Sequence, residues 1–107
     1  MNGYPAHAYA VADTVTDVRL SPGAIAGGYV SNQAGLDAFV VFFDKPAAEV
    51  VLGTTPPYWV VECYSLSQSP IVRAGEGINF ERAISVAAVS TPLGLVARLC
   101  DVHLIIQ

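Results

Sequence analysis

The side chains of this sequence that could do chemistry are few, and their spacing does not fit a catalytic site. A hydrolase with a nucleophile elbow needs a serine in the frame G-x-S-x-G, and none of the seven serines has that frame. Two pairs of carboxylates stand near each other along the chain, Asp13 with Asp17 and Glu76 with Glu81. Glycosidase chemistry needs two carboxylates facing across a cleft, which this spacing does not indicate, so we interpret them as solvated residues. The sequence therefore predicts a protein that is not an enzyme.

A metal or cofactor site is not predicted either. Cys100 and His103 are three residues apart, which on a strand places them on opposite faces, and a zinc site would need Cys63 as well. Residues 75–77, Gly-Glu-Gly, lack the third glycine of a phosphate-binding loop, so we expect a turn there. Two cysteines without a secretion signal are more often buried free thiols than a disulfide. His103 alternates with apolar neighbours, which is typical of a partly buried or interface histidine.

Apolar residues are in surplus for a chain of this length. A single domain of 107 residues buries only about two-thirds of the surface of its unfolded chain, yet 53% of the residues are hydrophobic and 13% are charged. The longest uncharged stretches, 20–36 and 83–97, contain glycine and proline and fall short of the ~20 residues of a membrane-spanning helix. The N-terminus has no basic residue before its alanines, unlike a signal peptide. We therefore expect no membrane partner, and we expect the surplus to contact another protein.

The charge of the chain argues against a nucleic-acid partner. Its net charge is −4 and its pI is near 4.8. Phosphate binding needs a concentrated cationic patch, whereas the five basic residues are scattered: Arg19, Lys45, Arg73, Arg82 and Arg98.

The order of short apolar runs and turn residues predicts an all-β fold. Residues 1–13 show no clean period and are predicted to form an extended N-terminal arm, and residues 14–107 a single-domain antiparallel β-sandwich. The strand-like runs are 14–20, 24–32, 37–43, 58–66, 70–74, 83–90 and 95–106. Glycine and proline between them exclude a helical period of useful length.

Two glycine-containing stretches predict local backbone features. Residues 32–35, Asn-Gln-Ala-Gly, lie between two strand-like runs and are interpreted as a hairpin in which Gly35 supplies a positive φ. Gly27 and Gly28 lie inside a strand pattern, which predicts a bulge or a close approach of another backbone.

Two of the predicted strands are apolar on both faces. One is AFVVFF at 38–43, and the other is the last run, at 95–106. A small antiparallel sheet normally keeps one face in water, so such strands favour an oligomer, and a homotrimer would satisfy the pattern. The alternative is that both strands lie mid-sheet under long loops of the same chain. The candidate subunit-interface residues are Phe39, Val41, Phe42, Phe43, Leu104 and Ile106.

Several short motifs follow one another from Val18 onward. They are Arg19-Leu20, Gly28-Tyr29-Val30 with Asn32, Phe43-Asp44, Gly53 to Pro56, Gly77-Ile78-Asn79-Phe80 and Ser90-Thr91. In this order they resemble the small β-sandwich virion proteins of tailed bacteriophages, of the capsid decoration or cement type. The resemblance implies a jelly-roll-like sandwich that is usually trimeric and is placed on a capsid or a tail.

The first functional hypothesis is therefore a capsid decoration protein that trimerises and stabilises the capsid shell, located on the capsid surface of the virion. Its partners would be further copies of itself and the major capsid protein. Because aromatic side chains are enriched at the centres of interfaces, the candidate docking residues are Tyr4, Tyr9, Tyr58 and Trp59.

The alternative hypothesis is a receptor-binding or glycan-binding module of a tail fibre or baseplate. An aromatic side chain beside an exposed carboxylate would suit a glycan, and Tyr64 with Glu62, or Trp59 with Glu49, are the pairs that the sequence offers. An ordinary cellular oligomeric sandwich or a small hydrolase is a third reading.

Overall fold

Nine β-strands and one short 3₁₀ helix form the described part of the molecule. The structure, a computed structural model, describes residues 7–11, 15–32, 35–72, 76–91 and 100–106, and of 7–11 only the backbone. The strands are β1 (His7–Val11), β2 (Thr16–Arg19), β3 (Gly23–Asn32), β4 (Ala38–Phe43), β5 (Trp59–Cys63), β6 (Ser67–Pro70), β7 (Ile78–Phe80), β8 (Ile84–Val89) and β9 (Cys100–Ile106). The 3₁₀ helix is Ala47–Glu49.

The strands make two antiparallel sheets with a jelly-roll order. One sheet has the order β1-β9-β3-β6, with β7 also paired to β3, and the other has the order β2-β8-β4-β5. Leaving β7 aside, the strands pair from the two ends of the chain inward: β1 with β9, β2 with β8, β3 with β6 and β4 with β5. This is a long hairpin rolled up into two sheets, which is the jelly-roll arrangement. The predicted antiparallel, jelly-roll-like sandwich is confirmed.

The main core lies between the two sheets. In β9 the side chains of Cys100, Val102, Leu104 and Ile106 are buried, while Asp101 between them is exposed, so the strand alternates as its period of two requires. The facing sheet contributes Val40 and Phe42 from β4 and Ile84, Val86 and Ala88 from β8. Their burial supplies most of the apolar driving force for folding, at about 25 cal/mol per Å².

The N-terminal segment contributes a strand to this sandwich. The predicted arm covered residues 1–13, and the structure pairs His7–Val11 with β9, with His7 opposite Leu104 and Val11 opposite Cys100. Residues 1–6 and 12–14 lie outside the described residues. The extended segment thus forms the edge of the sheet β1-β9-β3-β6.

Two strand assignments made from the sequence are wrong. Residues 67–69, predicted as a separator, belong to β6, which pairs with β3 so that Ser67 is opposite Asn32. Conversely, Ile71 and Val72 of the predicted run 70–74 form a bend, and β7 was not predicted. Edge strands tolerate polar residues and a terminal proline such as Pro70, because one side of an edge strand makes no ladder hydrogen bonds. The composition pattern therefore placed this edge strand a few residues too late in the chain.

The predicted hairpin at 32–35 is also wrong. The strands that flank it, β3 and β4, lie in different sheets, so the connection crosses the sandwich. Gly35 does not have a positive φ. The crossing is held by the side chain of Asn32, whose Nδ2 donates to the carbonyl oxygens of Leu36 at 2.8 Å and Cys63 at 3.1 Å. Asn ends β3 because its buried amide ties this strand end both to the chain just before β4 and to the end of β5.

The predicted bulge at Gly27 and Gly28 is confirmed. The register of β3 against β9 shifts between Ile25 and Gly27, and Gly28 has a φ of 130°. A Cβ atom at Gly28 would overlap the carbonyl oxygen of His103 on β9. Only glycine permits both this φ and this approach of two backbones.

The outer face of the sheet β2-β8-β4-β5 is apolar, and the chain covers it. Val41 and Phe43 of β4 and Ala87 and Val89 of β8 are buried there, with Val15, Val50 and Leu52 packed against them. Val50 and Leu52 belong to the long connection between β4 and β5, residues 44–58, which we call the cover segment. The alternative reading, in which a doubly apolar strand lies mid-sheet under a long loop, is what the structure shows for β4.

Burial within the chain leaves little of the predicted subunit interface accessible. Five of its six candidates are buried within the single chain: Val41, Phe42, Phe43, Leu104 and Ile106. Phe42, Leu104 and Ile106 lie in the main core, whereas Val41 and Phe43 lie under the cover segment. Side chains with no accessible surface in the monomer have none to contribute to an interface. Phe39 alone is half-buried, on the outward face between Glu62 and Val89.

Polar contacts fasten the cover segment at its start. The Asp44 carboxylate accepts hydrogen bonds from the backbone N–H groups of Glu81 at 3.1 Å, Arg82 at 2.8 Å and Ala83 at 3.3 Å. Ser85 Oγ donates to the carbonyl oxygen of Lys45 at 2.7 Å.

The 3₁₀ helix of the cover segment is fastened by two further carboxylates. Asp17 Oδ1 accepts from the N–H of Ala47 at 2.7 Å. Arg82 Nη2 contacts both oxygens of Glu49, at 2.7 and 2.8 Å, and this pairing raises the pKa of Arg82. Carboxylates thus connect the cover segment to β2 and to the turn before β8.

Asp44 is stabilised in its charged form. Desolvation by its surroundings raises its pKa, but the three backbone N–H donors and the charge of Arg82 outweigh that effect, so its pKa lies below the ordinary 3.8. A carboxyl whose pKa is lowered by folding stabilises the native state at pH values above its unfolded pKa. That stabilisation is lost as the pH falls through the lower, folded value.

We predict that Gly28→Ala lowers the unfolding free energy by about 3 kcal/mol or more. Alanine would be strained at this φ, and its Cβ atom would overlap the backbone of β9. The neighbouring Gly27→Ala is the control: its Cβ would meet only Ile105 Cδ1, at an ordinary 3.5 Å. Urea unfolding of both variants measures the difference. Equal stability of the two variants would contradict the close approach of β3 and β9.

We predict that Asp44→Asn lowers the unfolding free energy by about 1 kcal/mol near neutral pH, because the bonds are partly open to water. The difference from wild type should persist down to about pH 4 and shrink at lower pH, where the wild-type carboxylate is protonated. Urea unfolding over a pH series measures it, with the exposed Glu76→Gln as control. A difference that grows on acidification would contradict the assignment.

Candidate functional site

Exposed apolar side chains concentrate around β5. Of the nine large hydrophobic side chains that are exposed in the described part of the chain, five fall within residues 58–66. We call these five the aromatic edge: Tyr58, Trp59, Val60, Tyr64 and Leu66. They gather here because β5 is the last strand of its sheet and is paired only with β4 among the described strands. Residues that would be covered in a central strand are thus left at the surface.

The two aromatic residues at the start of β5 are fixed in place. Tyr58 donates from its hydroxyl to the carbonyl oxygen of Asn79 at 2.8 Å, and its ring lies 5.0 Å from that of Phe80. Trp59 donates from Nε1 to the carbonyl oxygen of Ile71 at 3.0 Å and is 40% exposed. Rings that are already held lose little rotamer entropy when a partner binds.

The charged residues around Tyr64 are acidic. Its pKa is raised by a hydrogen bond from its hydroxyl to Glu62, by the charge of Glu62, by desolvation and by the charge of Asp37. Asp37 also accepts a hydrogen bond from the N–H of Ser65 at 2.8 Å, which ties the crossing between the sheets to the end of β5. The aromatic edge therefore presents apolar rings bordered by negative charge.

The turn that ends the aromatic edge holds a leucine in a rare conformation. Leu66 has a φ of 57°, the only positive φ at a non-glycine residue in the described part of the chain. Its side chain is 74% exposed, although the turn is closed by Ser67, whose N–H and Oγ both donate to the carbonyl oxygen of Tyr64. A bulky residue with this φ costs about 1–2 kcal/mol, and its side chain gains no burial in return. Such strain is typical of functional positions.

Two of the four docking residues named from the sequence lie within the part of the chain whose side chains are described. Tyr58 and Trp59 are adjacent on the aromatic edge. Tyr4 and the side chain of Tyr9 lie outside the described residues, and the backbone of Tyr9 is in β1, opposite Val102 of β9. Strand β1 ends its sheet on the side opposite β6, whereas β6 is the neighbour of β5.

Val60 and Leu66 also belong to the aromatic edge, but they were not identified from the sequence. Their exposure depends on β5 being an edge strand and on the turn conformation, neither of which a composition pattern reports. Two pairs were named from the sequence for a glycan. In the first, the Tyr64 hydroxyl is hydrogen-bonded to Glu62; in the second, Glu49 forms a salt bridge with Arg82, and Trp59 is bonded elsewhere.

Both cysteines are buried, and His103 is partly buried against a tyrosine. Cys63 and Cys100 are both buried free thiols, as predicted. Burial, with smaller contributions from Cys63 and Asp101, raises the pKa of Cys100 to about 11, so this thiol stays protonated near neutral pH. His103 is half-buried and stacks on Tyr29, with ring centroids 4.5 Å apart.

Within the described ranges, no three His, Cys, Asp or Glu side chains come together as a metal site would require. No helix in those ranges is long and apolar enough to cross a membrane.

No protein-family model, no curated protein and no solved structure matches this chain.

We predict that Leu66→Asn raises the unfolding free energy by about 1 kcal/mol, because asparagine adopts a positive φ at lower cost and little buried area is lost. Leu36→Asn is the matched control, since Leu36 is also exposed but has no positive φ. Thermal or urea unfolding measures both. A destabilised Leu66→Asn would show that the leucine side chain contributes more than the strain costs.

Proposed function

We propose that this chain is a structural protein of a bacteriophage particle, a capsid decoration protein that docks on the major capsid protein through its aromatic edge. The observation that carries the proposal is the concentration of exposed, hydrogen-bonded aromatic residues on β5 and in the turn after it. The order of motifs from Val18 to Thr91 and the jelly-roll strand order support the same class, since jelly rolls are recurrent in viral capsids.

The chemistry of the aromatic edge specifies its partner. Rigid Tyr and Trp side chains are the usual anchors at the centre of an interface, where they fill pockets and exclude water. Glu62 and Asp37 beside Tyr64 favour a partner that surrounds an apolar pocket with lysine or arginine. A decoration protein that binds only the assembled lattice stabilises the shell by mass action.

Self-association stays a prediction, and fewer accessible residues support it than the sequence indicated. The homotrimer was predicted through two doubly apolar strands, and β4 proves to be covered by the chain itself. Of the six interface candidates, only Phe39 keeps accessible surface, next to Glu62 and near Val60 on the same outward face. In this proposal, the contact between subunits of a trimer would therefore include Phe39 and lie next to the aromatic edge.

The test is retention on purified particles. Heads and tails are separated, and the copies of this protein are compared with the major capsid protein on a quantitative gel. We expect abundance comparable to the capsid protein on heads, and we expect Trp59→Ala and Tyr64→Ala each to weaken rebinding to stripped heads at least roughly tenfold, as for hot-spot residues.

The matched control is Tyr29→Ala, which removes an exposed tyrosine from the other sheet and should bind heads as wild type does. Urea unfolding checks that each variant remains folded. Unchanged binding of both aromatic-edge variants would contradict the docking assignment. A few copies that travel with tails would favour the receptor-binding alternative instead.

A further inference from the structure

The outer face of the sheet β1-β9-β3-β6 carries two parallel rows of side chains. Register places His103 of β9, Tyr29 of β3 and Pro70 of β6 side by side. Two residues along, it places Asp101, Ser31 and Gln68 side by side on the same three strands. The first row, which we call the aromatic row, thus lies next to a polar row whose three side chains carry a carboxylate, a hydroxyl and an amide.

The aromatic row is ordered and accessible. The rings of Tyr29 and His103 stack with an interplanar angle of 17°, and Tyr29 is 40% exposed. The next position along β3 on this face is Gly27, opposite Ile105, so no side chain of β3 crowds the tyrosine from that direction. A stacked pair of this kind offers an apolar surface with a hydroxyl at its tip.

The polar row opens into a depression of about 290 Å³. It is lined by Ser31, Asn32, Leu66, Ser67 and Gln68. Asn32 is a fixed wall because its Nδ2 is already bonded to two carbonyl oxygens. The volume is at the lower end of the ~300–1,000 Å³ of ligand sites, which suits one small ring.

We propose that these two rows and the depression form a binding site for a neutral hexopyranose ring of a glycan. A pyranose has an apolar C–H face, which fits the Tyr29–His103 pair, and a rim of hydroxyl groups. The exposed Asp101 accepts hydrogen bonds and the exposed Gln68 both donates and accepts, while the hydroxyl of the buried Ser31 lines the depression between them, so the polar row can match donors and acceptors that alternate around a sugar. The rows contain no lysine or arginine, which disfavours anionic ligands.

This site shares only Leu66 with the aromatic edge. It lies on the other sheet, and the pairs named from the sequence for a glycan, Tyr64 with Glu62 and Trp59 with Glu49, do not contribute to it. The inference does not depend on the proposed function.

The experiment is a titration of the full chain followed by two-dimensional ¹H–¹⁵N NMR. The probes are the methyl glycosides of glucose, galactose, mannose and N-acetylglucosamine, and N-acetylarginine amide serves as a cationic peptide probe. The proposal expects saturable shifts, with at least one glycoside, at the backbone amides of Tyr29, Ser31, Gln68, Asp101 and His103. No saturable shift with any glycoside, or saturation with the arginine probe alone, would overturn it.

Variants locate the site. Tyr29→Ala should weaken glycoside binding about tenfold, and Gln68→Ala roughly three- to tenfold, through the loss of ring contact and of a hydrogen bond. Trp59→Ala on the aromatic edge should bind the glycoside as wild type does. Gln68 is exposed on an edge strand, so this variant keeps the test valid even where Tyr29→Ala perturbs folding. Wild-type affinity in Gln68→Ala and in a folded Tyr29→Ala would overturn the assignment.

Discussion

The sheet β2-β8-β4-β5 is apolar on both faces, and this constraint determines much of the rest of the molecule. One face packs into the main core, and the other would leave Val41, Phe43, Ala87 and Val89 in water. The cover segment shields that surface from water with only two apolar side chains, Val50 and Leu52. The remaining attachment is polar and comes from carboxylates that bind backbone N–H groups or an arginine. Charge-assisted bonds of this kind hold a short loop in place where its own apolar area is small.

Covering the centre of this sheet leaves its margin as the place where apolar residues remain exposed. Strand β5 has β4 on one side and no paired strand on the other among the described residues. Its inward residues Val61 and Cys63 are buried, while Val60 and the aromatic residues beside it are not. Edge strands are normally protected by a charged side chain, a proline or a bulge, and in WVVEC the one such residue is Glu62. In the proposed function, the partner would cover the apolar residues that remain exposed beside it.

The sequence predicted the fold class better than it predicted the surface. Alternation and turn residues identified β3, β4, β5, β8 and β9, because buried strands carry apolar runs that composition detects. Strand β6 was missed, since Ser67 and Gln68 are strand residues only through their pairing with β3. Five of the six candidates for a subunit interface are buried within the chain for a related reason: an apolar residue such as Phe43 has the same sequence signature whether a loop or a second subunit covers it. The bulge at Gly27 and Gly28 was correctly identified because glycine inside a strand pattern indicates a bulge or a close backbone approach.

The turn between β5 and β6 connects the two candidate surfaces. Tyr64 belongs to the aromatic edge, Ser67 and Gln68 line the depression, and Leu66 contributes to both. Because the turn is closed by bonds from Ser67 to Tyr64 and from Ser65 to Asp37, a change in its conformation would move the ends of both surfaces together. The strained φ of Leu66 is located at that junction. The strain, about 1–2 kcal/mol, is thus stored at the point where the two surfaces meet.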